Sequence, residues 1–146
     1  MENILLAATN FTSLYPLYIA WNNDIITFII LLNVTLASIF SHLFECHKHD
    51  MRGYYFHNKT LSYVLNRWDV IGCMIMIMRL LYMLYNLHLL WILSHYFRPL
   101  FMLYIVLSIS EYDKYNPYLK YVYICMHSIW HLGIFIIIGD ILSKIY

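Results

Sequence analysis

The side chains in this chain that could do chemistry are three histidines with a serine and an aspartate near them in the pattern. His127 and His131 stand four residues apart, which on a helix puts both imidazoles on one face, one turn apart. That is the spacing one metal ion needs from two ligands carried by a single helix. His42 is the candidate third ligand. Three neutral imidazoles with the fourth tetrahedral position left to water describe a catalytic zinc site, in which the metal brings the water's pKa towards about 7. Asp69 is suited to orient a ligand imidazole or to take a proton from the water, and Ser38, one turn before His42, to hydrogen-bond in the same shell. Each has a plainer reading. Eight histidines in 146 residues give roughly 0.4 chance pairs at spacing four. A buried His42 serves as a hydrogen-bonded packing residue, Ser38 as a back-bonder to its own helix, and Asp69 as an N-cap at an interface.

The elements that must carry these residues follow from composition. The chain is 62% hydrophobic and only 12% charged, whereas soluble domains carry about a quarter charged residues. In hydrocarbon every backbone amide needs an internal partner, and the long continuous apolar runs exclude barrel strands. The fold class is therefore all-α: a polytopic membrane bundle of about five transmembrane helices, treated as one domain over residues 1–146. The first span is read at residues 4–20, with Pro16 near its end, and the second at 25–45. Residues 46–66 form the longest hydrophilic loop. The third span starts near Trp68-Asp69 and holds Arg79, a lone cation that must snorkel or pair. One span kinked at Pro99 accounts for 88–110, and after a loop at 111–117 the last helix runs from Tyr118 to Ile141, with Gly133 and Gly139 as close-packing points.

If these helices alternate direction, the end of the second span and the starts of the third and last lie on one side of the bilayer, so His42, Asp69, His127 and His131 can converge. A net charge of +1 with scattered bases excludes nucleic acid as a partner and leaves membrane lipids. Cys46, Cys73 and Cys125 have no CxxC spacing and read as free thiols. The CHKH stretch and His57 in the hydrophilic loop read as solvated, and the Met- and Tyr-rich third span as lipid-facing or packing surface.

In order, Ser38-Ile-Phe-Ser-His42, Asp69 and His127-Ser-Ile-Trp-His131 resemble the SxxxH, D and HxxxH signature of the membrane hydrolase superfamily of the alkaline ceramidases and the adiponectin and progestin receptors. HSIWH at 127–131 and LSYVLNRWDVIG at 61–72 are most similar to the myomaker-like and post-GPI-attachment phospholipase-like group. The resemblance spans residues 38–131. It implies a zinc ion on His42, His127 and His131, supported by Ser38 and Asp69, and action on lipid amides or esters. It also implies, as an alternative, a non-enzymatic role in membrane remodelling or fusion. Two departures stand out: the chain has room for about five spans where the family has seven, and the family's His-Ala-Cys-Asp is replaced by His42-Leu-Phe-Glu45. Lys48, Arg52, Lys59, Arg67, Lys114 and Lys120 would put the site side in the cytoplasm by the positive-inside rule; the resemblance implies the opposite side.

Overall fold

The computed structural model describes residues 2–53 and 58–146; His57, read as part of the solvated loop, lies outside the described residues. Among them there are helices and no strands. The first span is α1 (Glu2–Thr9), a 3-10 turn (Asn10–Ser13) and α2 (Leu14–Asn23); α3 is Ile25–Leu43, α4 Lys59–Asn86, α5 Ile92–Ser110 and α6 Lys120–Ile145, preceded by a 3-10 turn at Pro117–Leu119. Five stretches, Glu2–Asn23, Ile25–Leu43, Lys59–Asn86, Ile92–Ser110 and Pro117–Ile145, are long and apolar enough to cross a membrane. That is the predicted architecture. A single helix runs through Pro99, so residues 92–110 are one span, while residues 87–91 belong to the turn before it.

Helix boundaries follow from capping. Asp24, in extended backbone between α2 and α3, accepts from the Ile26 amide at 3.0 Å, satisfying one of the orphan donors of the helix start. Asn58 does the same for α4, accepting from the Leu61 amide at 3.0 Å. This cap starts α4 at Lys59, inside the stretch read from its charge as loop, so the connection between α3 and α4 is shorter than 46–66. Asp69 consequently lies well inside α4 and does not cap it.

The first span is the wedge of the bundle. It packs on α3 and on α6, while α4 packs on the outer side of α3 and α5 on α6. The main core gathers Leu31 and Val34 of α3, Met76, Leu80 and Leu84 of α4, Leu103 of α5, and Phe135, Ile138 and Leu142 of α6. Small residues permit the close approaches: a Cβ at Gly133 would meet Leu103 at 2.5 Å and one at Gly139 would meet the Tyr15 ring at 2.3 Å. Outward-facing Ile71, Met74, Met78 and Tyr82 of α4 and Phe97, Phe101 and Met102 of α5 are exposed, a surface suited to hydrocarbon. The methionines of α4 divide between this surface and the core.

At the end of the bundle remote from His42, Arg79 finds the partner that its apolar setting demands. Its Nη2 donates to Asp24 Oδ2 at 2.5 Å and its Nε to Thr27 Oγ1 at 3.1 Å. Thr27 Oγ1 donates to Asp24 at 2.5 Å, and the Tyr146 hydroxyl donates to the same carboxylate at 3.0 Å. One carboxylate thus ties together the α2–α3 turn, α4 and the last residue.

Candidate metal centre

At the opposite end, α3 delivers His42 in its last turn and α6 delivers His127 and His131 from one face. The three imidazoles are 1, 7 and 3% exposed, with ring centroids 4.8–4.9 Å apart. One ligand atom from each lies within 4.8 Å of the others. The Nε2 atoms of His42 and His131 are 3.3 Å apart. Two nitrogens bound to one tetrahedral zinc at 2.0–2.1 Å sit about 3.3 Å from each other, so this pair already has the spacing of two ligands. His127 is the looser third.

Each Nδ1 is held from a different element. His42 Nδ1 meets Glu45 Oε2 at 3.1 Å, His131 Nδ1 meets Thr9 Oγ1 at 2.9 Å, and His127 Nδ1 meets Ser110 Oγ at 3.3 Å with Glu111 Oε1 at 3.7 Å. The partners favour a proton on Nδ1. Glu45, as a carboxylate, can only accept. Thr9 has the Leu6 carbonyl at 2.6 Å to donate to, and Ser110 the Leu107 carbonyl at 2.7 Å, which leaves both oxygens free to accept from the imidazole. With the proton on Nδ1, facing these acceptors, His42 and His131 turn their Nε2 lone pairs towards each other across 3.3 Å. Two lone pairs at 3.3 Å repel each other unless a cation stands between them.

The carboxylate that orients His42 is itself fixed. Glu45 is fully buried; it accepts from the Tyr123 hydroxyl at 2.6 Å and faces Lys48 Nζ at 3.5 Å. Burial opposes its ionisation, but Lys48, His42 and Tyr123 outweigh this and hold its pKa at about 2. Lys48 also donates to Glu111 Oε1 at 2.7 Å. Burial works against its charge too, and Glu45 and Glu111 raise its pKa above the ordinary value.

The CHKH stretch is consequently not solvated. Cys46, Lys48, His49 and Met51 are buried, forming a strap across the histidine end. The His49 amide donates to the Lys114 carbonyl at 2.6 Å and its Nδ1 meets the Asn116 carbonyl at 2.9 Å. Met51 packs with Leu6, Tyr123 and Ile124. Lysine reads as a surface residue, yet two carboxylates at one point give it reason to be buried.

The predicted ligands His42, His127 and His131 are thus brought together. Ser38 is buried one turn before His42 and makes no side-chain hydrogen bond among the described residues. Asp69 is half-buried on α4, where the Cys73 thiol donates to it at 3.9 Å; it bonds no histidine of the triad. Orientation falls instead to Thr9, Glu45 and Ser110, which sequence reasoning missed. Only Glu45, three residues after His42, offered a local signal.

The uncharacterized protein L282 of Acanthamoeba polyphaga mimivirus is 43% identical to this chain over 141 residues, covering 92% of each. The two belong to one family. The match runs through nearly the whole of both chains. No family model matches the sequence, and no solved structure matches it.

Proposed function

We propose that this protein is an integral membrane metal-dependent hydrolase of lipid amides or esters, with zinc held by Nε2 of His42, His127 and His131. The observation that carries the metal is the cluster itself: three buried imidazoles bring one ligand atom each to within 4.8 Å of the others, each with an Nδ1 contact that leaves Nε2 available. The donor set fits zinc, which takes neutral imidazole nitrogens at the distances that the His42–His131 pair provides. The hydrolytic half of the reading rests on the resemblance of the Ser38–His42, Asp69 and His127–His131 pattern to the ceramidase and myomaker-like superfamily.

When bound, such an ion supplies Lewis acidity and a water acidified towards neutral pH. The chain's own residues do the rest. Glu45, Thr9 and Ser110 fix the imidazoles so that little reorganisation accompanies loading. Glu45 and Glu111, with Lys48 between them, bring a net negative charge beside a cation. The resemblance gives Asp69, on the neighbouring helix, the part of receiving or returning a proton.

A second reading is favoured by one feature. The three imidazoles are only 1, 7 and 3% exposed. A buried centre of that kind suits a structural ion that braces α3 against α6, in a protein acting in membrane remodelling.

Elemental analysis of detergent-purified protein tests the metal. About one zinc per chain, absent from the His127→Ala, His131→Ala double variant, is expected; no zinc in the wild type overturns both readings. Incubation of zinc-loaded protein with ceramide and phospholipid substrates then separates them, since release of fatty acid that the double variant fails to give supports the hydrolase and its absence supports the structural ion.

A further inference from the structure

Beside the centre, on the same end of the bundle, lies a cleft of about 670 Å³ lined by Glu2, Asn3, Asp50, Arg52, Lys120 and Tyr121. Its charges are two acids and two bases, so it is neutral overall but offers both signs within one cavity. Lys120 Nζ pairs with Glu2 at 2.8 Å, whereas Arg52 is exposed and in no ion pair among the described residues. The position is also informative. Glu2 opens the first span and Lys120 opens α6, so the cleft sits where two apolar spans end, at headgroup depth for a protein in a bilayer.

The cleft shares a wall with the centre. Asn3, one of its lining residues, donates from Nδ2 to the His42 carbonyl at 2.7 Å and to the Glu45 carbonyl at 2.9 Å. A ligand in the cleft therefore lies against the segment that carries one metal ligand and its orienting carboxylate.

The geometry points to a binding site for the zwitterionic headgroup of a phospholipid, with phosphate on Arg52 and on Lys120, which leaves Glu2 and the Tyr121 ring that now hold it, and the ammonium group taking its place between Asp50, Glu2 and the Tyr121 ring. A guanidinium takes phosphate oxygens in a forked arrangement. Carboxylates with an aromatic face are the chemistry that holds an alkylammonium. A purely anionic lipid would leave Asp50 and Glu2 facing its negative charge. As the place of a substrate headgroup this rests on the hydrolase reading above; as a binding site it stands without the metal.

The test measures binding of short-chain phosphatidylcholine, phosphatidylglycerol, inorganic phosphate and choline to the full chain in neutral detergent, read from the shift in thermal unfolding. Phosphatidylcholine is expected to bind at least about tenfold more tightly than each of the others, and Arg52→Ala to weaken it by about tenfold. The His127→Ala, His131→Ala variant is expected to keep this binding whether or not the wild type holds zinc, which separates failure of this site from failure of the metal centre. Equal binding of phosphatidylglycerol, or of phosphate alone, overturns the headgroup assignment. So does phosphatidylcholine binding that survives Arg52→Ala but disappears with the histidines, because the lipid would then sit at the centre instead of in the cleft.

Discussion

The two polar clusters at opposite ends of this bundle are built from similar materials and left in opposite states. At the far end, Asp24 gathers Thr27, Arg79, Tyr146 and the Ile26 amide, and none of these side chains keeps a buried polar atom without a partner. At the histidine end, the Nε2 atoms of His42 and His131 stand 3.3 Å apart, and Ser41 Oγ, His49 Nε2 and Ser128 Oγ nearby are buried without hydrogen-bond partners. The first cluster closes on itself and can only stabilise. The second gathers three imidazoles that could hold a metal ion, which is how a candidate site differs from a brace.

The largest expected effect comes from opening the brace. Arg79→Ala leaves Asp24 without its cation and Thr27 without its donor, and is expected to cost about 2–4 kcal/mol, somewhat below the range for fully buried pairs because the pair is partly exposed. Reversible unfolding in mixed micelles measures it. By contrast, His131→Ala in metal-free protein should cost far less, because it removes a repulsive neighbour of His42. If the two variants are equally destabilised, the histidine end is a brace as well and the contrast between the ends fails.

Zinc should reverse that order. At about 100 times its dissociation constant it is expected to stabilise the wild type by about 2.7 kcal/mol and the His127→Ala, His131→Ala variant by nothing measurable. Acidification separates the ends further. Burial raises the Asp24 pKa, but hydrogen bonds from Thr27, Arg79 and Tyr146 outweigh it and hold the carboxyl below its ordinary range. A depressed folded pKa gives stability that is present above the unfolded value of about 3.9 and is lost only as pH falls through the lower, folded one. Zinc needs unprotonated imidazoles and should therefore leave at a higher pH. Zinc retained to pH 4 would mean that the histidines are not its ligands.

How much of this could be read in the sequence depended on the range of the interaction. The five spans were legible because hydropathy is a local property, and the triad because His127 and His131 share a helix face. Arg79 announced that it needed a partner but not which one, since Asp24 is 55 residues away and has the local appearance of a turn residue. Thr9 looked like a polar interruption in the first span; its partner His131 is 122 residues on. The strap was misread for a different reason. Its composition is that of a solvated loop, and only the convergence of Glu45 and Glu111 on Lys48 makes burial tolerable.

The oriented imidazoles supply the finer tests. Glu45→Gln keeps an acceptor for His42 Nδ1–H but removes the charge, and is expected to weaken zinc binding about 10–100-fold with the fold intact, measured by competition with a chromophoric chelator. Thr9→Val deletes a neutral acceptor and should cost about tenfold.

Ser110→Ala should cost least, about threefold or less, because Glu111 Oε1 already stands 3.7 Å from His127 Nδ1 and can replace the serine as acceptor of the Nδ1–H. The double variant Ser110→Ala, Glu111→Gln removes both acceptors' advantage and should fall to the level of Thr9→Val. This pair decides whether the Nδ1 contacts orient the centre or merely accompany it. If Ser110→Ala alone matches Glu45→Gln, His127 is the tightly held ligand and the ranking of the three imidazoles is reversed. If the double variant binds zinc as the wild type does, the Nε2 lone pairs do not owe their direction to these acceptors, and the difference between the two ends of the bundle must lie elsewhere.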